Sequence, residues 1–148
     1  ENDGAGHFTD ASARAGPGFL VARPSRGLAV GDFDNDGDLD LLISNLGAPP
    51  TLLRNDTPRR GSFLTVSLRV EPGRGTATGA RVTATLGKQA LIRDLSSGES
   101  YLSVHDPRLH FGLGSATRVD RLEVRWPDGS SQVLTDVPAN QFLEIKKK

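Results

Sequence analysis

Apolar and polar residues alternate through much of the chain after Phe63. From Phe63 to Val70, Leu64, Val66, Leu68 and Val70 fall on one face and Thr65, Ser67 and Arg69 on the other. Residues Ala80 to Leu86 repeat the pattern, with Ala80, Val82, Ala84 and Leu86 opposed to Arg81, Thr83 and Thr85. Leu109, Phe111 and Leu113 alternate with His110 and Gly112, and Leu122, Val124 and Trp126 with Arg121, Glu123 and Arg125. A period of two marks a strand that buries one face and wets the other. Pro127-Asp128-Gly129 has the residues a tight turn needs and folds Val119–Trp126 back on Ser131–Thr135. With Gln89–Leu95 and a last strand over Phe142–Lys146, about seven strands are expected from Phe63 onward. The expected fold is all-β, an antiparallel β-sandwich or barrel with Trp126 in its core.

Residues 1–60 are patterned differently. They predict a strand over Arg26–Val30, a long acidic loop, a second strand over Leu39–Ser44 and a third over Thr51–Arg54. A lone small sheet is marginal in water, so docking on the sandwich through Leu41, Ile43, Leu52 or Leu53 is expected. No stretch has a helical period, and Thr9–Ala15 forms at most a turn or two. Glu1-Asn2-Asp3 is echoed by Arg54-Asn55-Asp56, each a few residues ahead of Phe8 or Phe63. This spacing suggests one repeat of a longer array. The expected organisation is a repeat-like unit over 1–60 and a sandwich domain over 61–148.

Composition narrows the function. The 148 residues carry 18 basic and 18 acidic side chains, so net charge gives no argument for nucleic acid or a membrane surface. The longest uncharged apolar stretch, Leu41–Leu53, is too short to span a bilayer and is broken by Asn45, Gly47, Pro49 and Pro50. Cysteine is absent, which removes disulfides and thiolate metal sites. Methionine is also absent and the chain opens on Glu1, so a fragment or a processed product is expected.

The acid is concentrated. Five aspartates fall within Asp32-Phe33-Asp34-Asn35-Asp36-Gly37-Asp38-Leu39-Asp40, which fits D-x-D-x-D-G-x-x-D. A hard cation such as calcium takes six to eight oxygens in a flexible shell. Asp32, Asp34 and Asp36 supply carboxylates, Gly37 allows the sharp turn, Asp38 offers its backbone carbonyl and Asp40 closes the set. Without a cation, each pair of such charges ~4 Å apart costs roughly 1 kcal/mol even in water. An EF-hand would place glutamate at position twelve, on a helix. Ile43 stands there, inside an apolar run, so the loop joins two strands instead. The competing reading is a solvated acidic turn.

Other candidates carry less. His105 and His110 flank Asp106, but a spacing of five suits neither a helix face nor one strand face, so surface histidines are expected. His7 is expected in a loop. Gly112-Leu113-Gly114 reads as a strand exit, with no phosphate-binding strand-to-helix unit around it. Ser96, Ser97, Ser100 and Ser103 lie near His105 and Asp106 in sequence, which does not make a nucleophilic triad. No catalytic residue is assigned. Tyr101 is the main candidate for an exposed aromatic.

Gly31-Asp32-Phe33-Asp34-Asn35-Asp36-Gly37-Asp38-Leu39-Asp40-Leu41 resembles an FG-GAP or VCBS-type repeat, the blade unit of integrin-like β-propellers. Asn2-Asp3-Gly4-Ala5-Gly6-His7-Phe8-Thr9-Asp10 resembles the linker ahead of such a unit. Gly79-Ala80-Arg81-Val82, Tyr101-Leu102-Ser103, His110-Phe111-Gly112-Leu113-Gly114 and Val119-Asp120-Arg121-Leu122-Glu123-Val124-Arg125-Trp126-Pro127 resemble the ASPIC/UnbV domain. That family includes the cartilage acidic proteins and many bacterial secreted proteins. The resemblance implies a secreted protein with a calcium-dependent propeller closed off by this domain, and no catalytic activity. It carries the Ca²⁺ ligands onto Asp32, Asp34, Asp36, Asp38 and Asp40. A propeller needs about four to eight blades, and this chain holds barely one. The expected role is a non-catalytic extracellular or cell-surface adhesion or interaction module, the C-terminal part of a larger protein. Its expected partners are an extracellular protein or glycan and the preceding propeller blades. The alternative is an accessory carbohydrate-binding domain of a secreted enzyme.

Overall fold

The computed structural model describes residues 1–58, 61–71 and 76–147. The architecture is all-β. Among the described residues, a single 3₁₀ turn, Pro17–Leu20, precedes ten strands. Three form the first sheet in the order β1-β2-β3: Ser25–Gly31, Asp40–Asn45 and Ala48–Leu53. The other seven are β4 (Ser62–Arg69), β5 (Arg81–Leu86), β6 (Gln89–Asp94), β7 (Leu109–Gly114), β8 (Arg118–Arg125), β9 (Ser131–Pro138) and β10 (Gln141–Lys146). They form two sheets, β10-β4-β7 and β6-β5-β8-β9, neither closed into a barrel.

These two sheets face each other as a sandwich. Alternation selects the inner faces: Leu64, Val66, Phe111 and Ile145 from one sheet meet Val82, Ala84, Leu122 and Val124 from the other. Trp126 closes the core at one end, as its phase along β8 predicts. Each such large side chain withdrawn from water contributes about 1.5–3 kcal/mol. The Pro127-Asp128-Gly129 turn forms as expected, with Gly129 N–H donating to the Trp126 carbonyl at 2.9 Å.

Three sequence expectations are corrected. The sandwich is not purely antiparallel, because β10 runs parallel to β4, pairing Phe142 with Thr65 and Ile145 with Leu68. The chain leaves β9, crosses to the other sheet, and turns at Asn140, whose φ is 57°. Asn140 there brackets Phe63, donating its N–H to the Phe63 carbonyl at 2.6 Å and accepting the Phe63 N–H on Oδ1 at 3.2 Å.

The second correction concerns docking of the first sheet. Leu41, Ile43, Leu52 and Leu53 belong neither to the core nor to the partly buried residues packed on it. Every buried core hydrophobic lies from Phe63 onward. The first sheet is joined to the sandwich through its edge strand β1 and through the aspartate loop, as described below. The third correction is that Tyr101 has company: Phe8 and Phe33 are at least as exposed.

Candidate metal centre

The aspartate run links β1 to β2, as its position between two apolar runs predicts. Asn35 and Gly37 take positive φ values of 59° and 94°, and the chain reverses between them. The first and last aspartates of the motif are turned inward and nearly buried, Asp32 at 3% and Asp40 at 4% exposure. Their carboxylates organise the loop. Asp32 accepts the N–H of Asp36 at 3.1 Å and of Gly37 at 3.0 Å. Asp40 accepts the N–H of Phe33 at 2.8 Å and, from beyond β3, of Asn55 at 2.8 Å. Asp36 caps the next turn by accepting the Asp38 N–H at 2.8 Å.

This folding brings three carboxylates to one place. Asp32, Asp34 and Asp40 each offer an oxygen, and the three oxygens lie within 4.8 Å of one another. The carboxylates of Asp36 and Asp38 stand outside that group. Among the described residues no basic side chain forms an ion pair with Asp32, Asp34 or Asp40. Arg54 contributes positive charge near Asp34 and Asp40, but its guanidinium is engaged by Asp56 at 2.7 Å. The donors are oxygens alone, and each carboxylate oxygen that accepts an N–H keeps a second lone pair. That set fits a hard divalent cation.

The loop rests on the outer face of the β10-β4-β7 sheet. Phe63 and Thr65 lie on this face of β4, in register with Gly112 and His110 of β7. Phe142 of β10 pairs with Thr65. Phe63 stacks on the His110 ring at 5.9 Å and meets Phe142 edge-on at 5.5 Å. Gly37 lies directly against Phe63. His110 is half-buried, and burial is the main cause that pushes its pKa down. Its Nδ1 is 3.2 Å from the Thr65 hydroxyl. His110 is therefore no surface histidine, because the aspartate loop covers the strand face that alternation leaves polar.

A second contact runs along β1. The connection between β6 and β7 crosses the side of β1 that carries Gly27 and Gly31. A Cβ at Gly27 would stand 2.2 Å from Ser103 Oγ, and one at Gly31 would stand 2.9 Å from the Asp106 Cβ. Only glycine lets the two backbones come this close. Asp106 N–H donates to the Val30 carbonyl at 2.9 Å, and Leu28 N–H to Ser100 Oγ at 3.3 Å.

Three serines of the cluster, Ser96, Ser100 and Ser103, are engaged in loop contacts. Ser100 receives the β1 N–H, Ser103 Oγ donates to the Tyr101 carbonyl at 3.0 Å, and Ser96 Oγ to the Gly98 carbonyl at 3.2 Å. Asp106 pairs with Arg108, whereas His105 lies 3.6 Å from Glu99. His7 is exposed in its loop beside Asp3, at 2.9 Å. Nothing local in the sequence marks Arg108, Phe63 or Phe142 as residues of this site. Asn55 is marked in the sequence only as an echo of Asn2.

Comparison with known proteins gives two family matches. Residues 71–148 match the family described as ASPIC and UnbV, and residues 1–43 match an FG-GAP-like repeat. Cartilage acidic protein 1 from Xenopus tropicalis is 37% identical over 137 residues, 87% of this chain and 21% of that protein. The mouse protein of the same name is 34% identical over 137 residues, with 87% and 21% covered. The human protein is 34% identical over 137 residues, with 87% and 20% covered. The chain thus spans about a fifth of the length of the curated relatives it matches. Among the described residues no helix is long and apolar enough to cross a membrane.

Proposed function

The chain belongs to the ASPIC and UnbV family, and from that premise we propose that it is a non-catalytic, calcium-binding interaction module of an extracellular protein. We divide it into a repeat-like unit over 1–60 and a sandwich over 61–148, a boundary whose residues 59 and 60 lie outside the described ones. The carrying observation is the convergence of Asp32, Asp34 and Asp40 with no ion-pairing base among the described residues. In this role the three carboxylates hold Ca²⁺, Asp36 adds an outer oxygen, and Asp38 offers its backbone carbonyl. The ion supplies positive charge that cancels the repulsion inside the loop and sets its shape. The relatives' name, an acidic protein of cartilage, supports an extracellular setting and a role other than catalysis.

The partner surface lies next to the loop. Phe33, Leu42 and Leu52 stand exposed around a groove of about 270 Å³ on the first sheet. An apolar face of this kind suits another apolar sheet, and we assign to it a neighbouring blade-like repeat of a longer protein. The accessory carbohydrate-binding role has less support. The exposed aromatics Phe8, Phe33 and Tyr101 sit on separate segments of the chain, and exposed apolar residues scattered singly are ordinary.

Calorimetric titration of calcium tests the reading. One site is expected, with a dissociation constant on the order of 10⁻⁶ to 10⁻³ M, and magnesium should compete poorly because it demands a smaller octahedral shell. Asp34→Ala should abolish the heat. No heat with the unaltered protein, or undiminished heat with Asp34→Ala, overturns the assignment.

A further inference from the structure

Arg108 reaches across the junction from the sandwich side. Its Nε and Nη2 hold the Asp106 carboxylate at 2.8 and 2.5 Å. Nη2 also donates to the Asp32 main-chain carbonyl at 2.7 Å, and Nη1 to the Asn35 side-chain oxygen at 2.5 Å. The guanidinium lies over the Phe142 ring, 5.6 Å from its centroid. One planar group therefore grips two points of the aspartate loop, its first and fourth residues, while anchored to the strand segment that feeds β7.

We propose that Arg108 is a positioning residue for the cation loop, so that cation occupancy and docking of the repeat-like unit on the sandwich form one coupled equilibrium. This rests on the reading of the loop as a calcium site.

Two effects of Arg108 oppose each other, and their sizes decide the sign. A free guanidinium beside a cation site would repel the cation. Here the charge is matched by Asp106 in direct contact, so the pair presents a dipole at the distance of the cation, and its repulsion is small. Positioning remains. The Asp32 carbonyl is tied at the point where the first carboxylate enters the site. Asn35 holds a left-handed conformation at φ 59°, which costs backbone energy unless its side chain is engaged. A fork with fixed geometry satisfies both acceptors at once, which a lysine ammonium on a flexible stem does not. Supporting partners of this kind change metal affinity by roughly ten- to a hundredfold when removed.

The packing makes the coupling two-way. Gly37 fits against Phe63 only while the loop keeps this shape. Repulsion among the aspartates, uncancelled when calcium is removed, opens the loop and lifts Gly37 from its seat. By linkage, docking must strengthen calcium binding by the same factor as calcium strengthens docking.

The test is calorimetric titration of calcium into the full chain and into Arg108→Lys, at fixed ionic strength, with amide exchange read across residues 100–108. Arg108→Lys keeps the charge and loses the fork. It should weaken calcium binding about tenfold. In the unaltered protein, calcium should slow exchange at the Asp106 N–H bonded to Val30, and the substitution should reduce that effect. A lower melting temperature with unchanged calcium affinity would show a structural role only and overturns the proposal. If Arg108→Lys does not fold, Asn35→Gly removes only the acceptor on the loop and suits the backbone there. Unchanged affinity in that variant overturns the proposal as well. An unaltered protein that takes no calcium overturns the metal reading and this coupling together. A binding protein whose affinity ignores Arg108 overturns the coupling alone.

Discussion

Phe63 lies so close to Gly37 that a Cβ on the glycine would stand 2.2 Å from the ring. Gly37 lies in the loop between β1 and β2 and Phe63 on β4 of the sandwich, and this contact seats the aspartate loop on the sandwich. Gly37 also has φ 94°, which an alanine adopts only under strain.

Gly37→Ala therefore meets both a ring and an unfavourable backbone. It should cost roughly 1–3 kcal/mol in calcium and weaken calcium binding. With chelator present the cost should shrink, because the loop no longer needs its seat. Denaturant midpoints in calcium and in chelator check this. Equal losses in both conditions would contradict it.

Asp32 and Asp34 should separate structural from ligand roles. Asp34 is exposed and, among the described residues, accepts no loop N–H, so Asp34→Ala should leave stability in chelator unchanged or slightly raised, by relief of repulsion. Asp32 accepts the N–H groups of Asp36 and Gly37. Asp32→Ala should cost about 1–3 kcal/mol even in chelator, since a buried donor loses its acceptor. Urea unfolding of the two variants without calcium distinguishes them.

Trp126 is 2% exposed at the end of the core, with the Lys147 ammonium over its ring at 6.0 Å. Its emission should be blue-shifted and shielded from a polar quencher. Trp126→Ala should cost roughly 3–5 kcal/mol, as large-to-small core changes do. Red, freely quenched emission in the folded protein would refute the placement.

Asp128 links the β8–β9 turn to the C-terminal strand. Hydrogen bonds from Lys147 first and Ser130 second hold its carboxyl well below the usual carboxylate range. A depressed folded pKa means that its contribution is complete above the unfolded value of about 3.9 and fades as pH falls through the folded one. Asp128→Asn should lower the unfolding midpoint at neutral pH, and the gap to the unaltered protein should close only in strong acid. A gap that is constant with pH would show that the charge contributes nothing.

Much of the sandwich was legible because alternation is a local property. Period alone assigns the inner residues of β5, β7 and β8 to their faces, and the placement of Trp126 follows from Leu122 and Val124. The aspartate motif was legible for the same reason: its spacing and its glycine lie within nine consecutive residues.

What tertiary structure decided is the fate of the faces that alternation calls polar. Thr65 and His110 look outward along their strands, yet Thr65 is buried and His110 half-buried, because a loop from another sheet covers them. The same covering selected Asp32, Asp34 and Asp40 as the convergent set and brought Arg108 to the loop from 76 residues away. Tertiary structure also decided the parallel pairing of β10 with β4, which no turn between neighbours encodes. Periodicity specifies which side of a strand is apolar. It does not specify which distant surface will lie on the other side, since that depends on how sheets pack, and here the glycines of β1 and the rings of Phe63 and Phe142 set that packing.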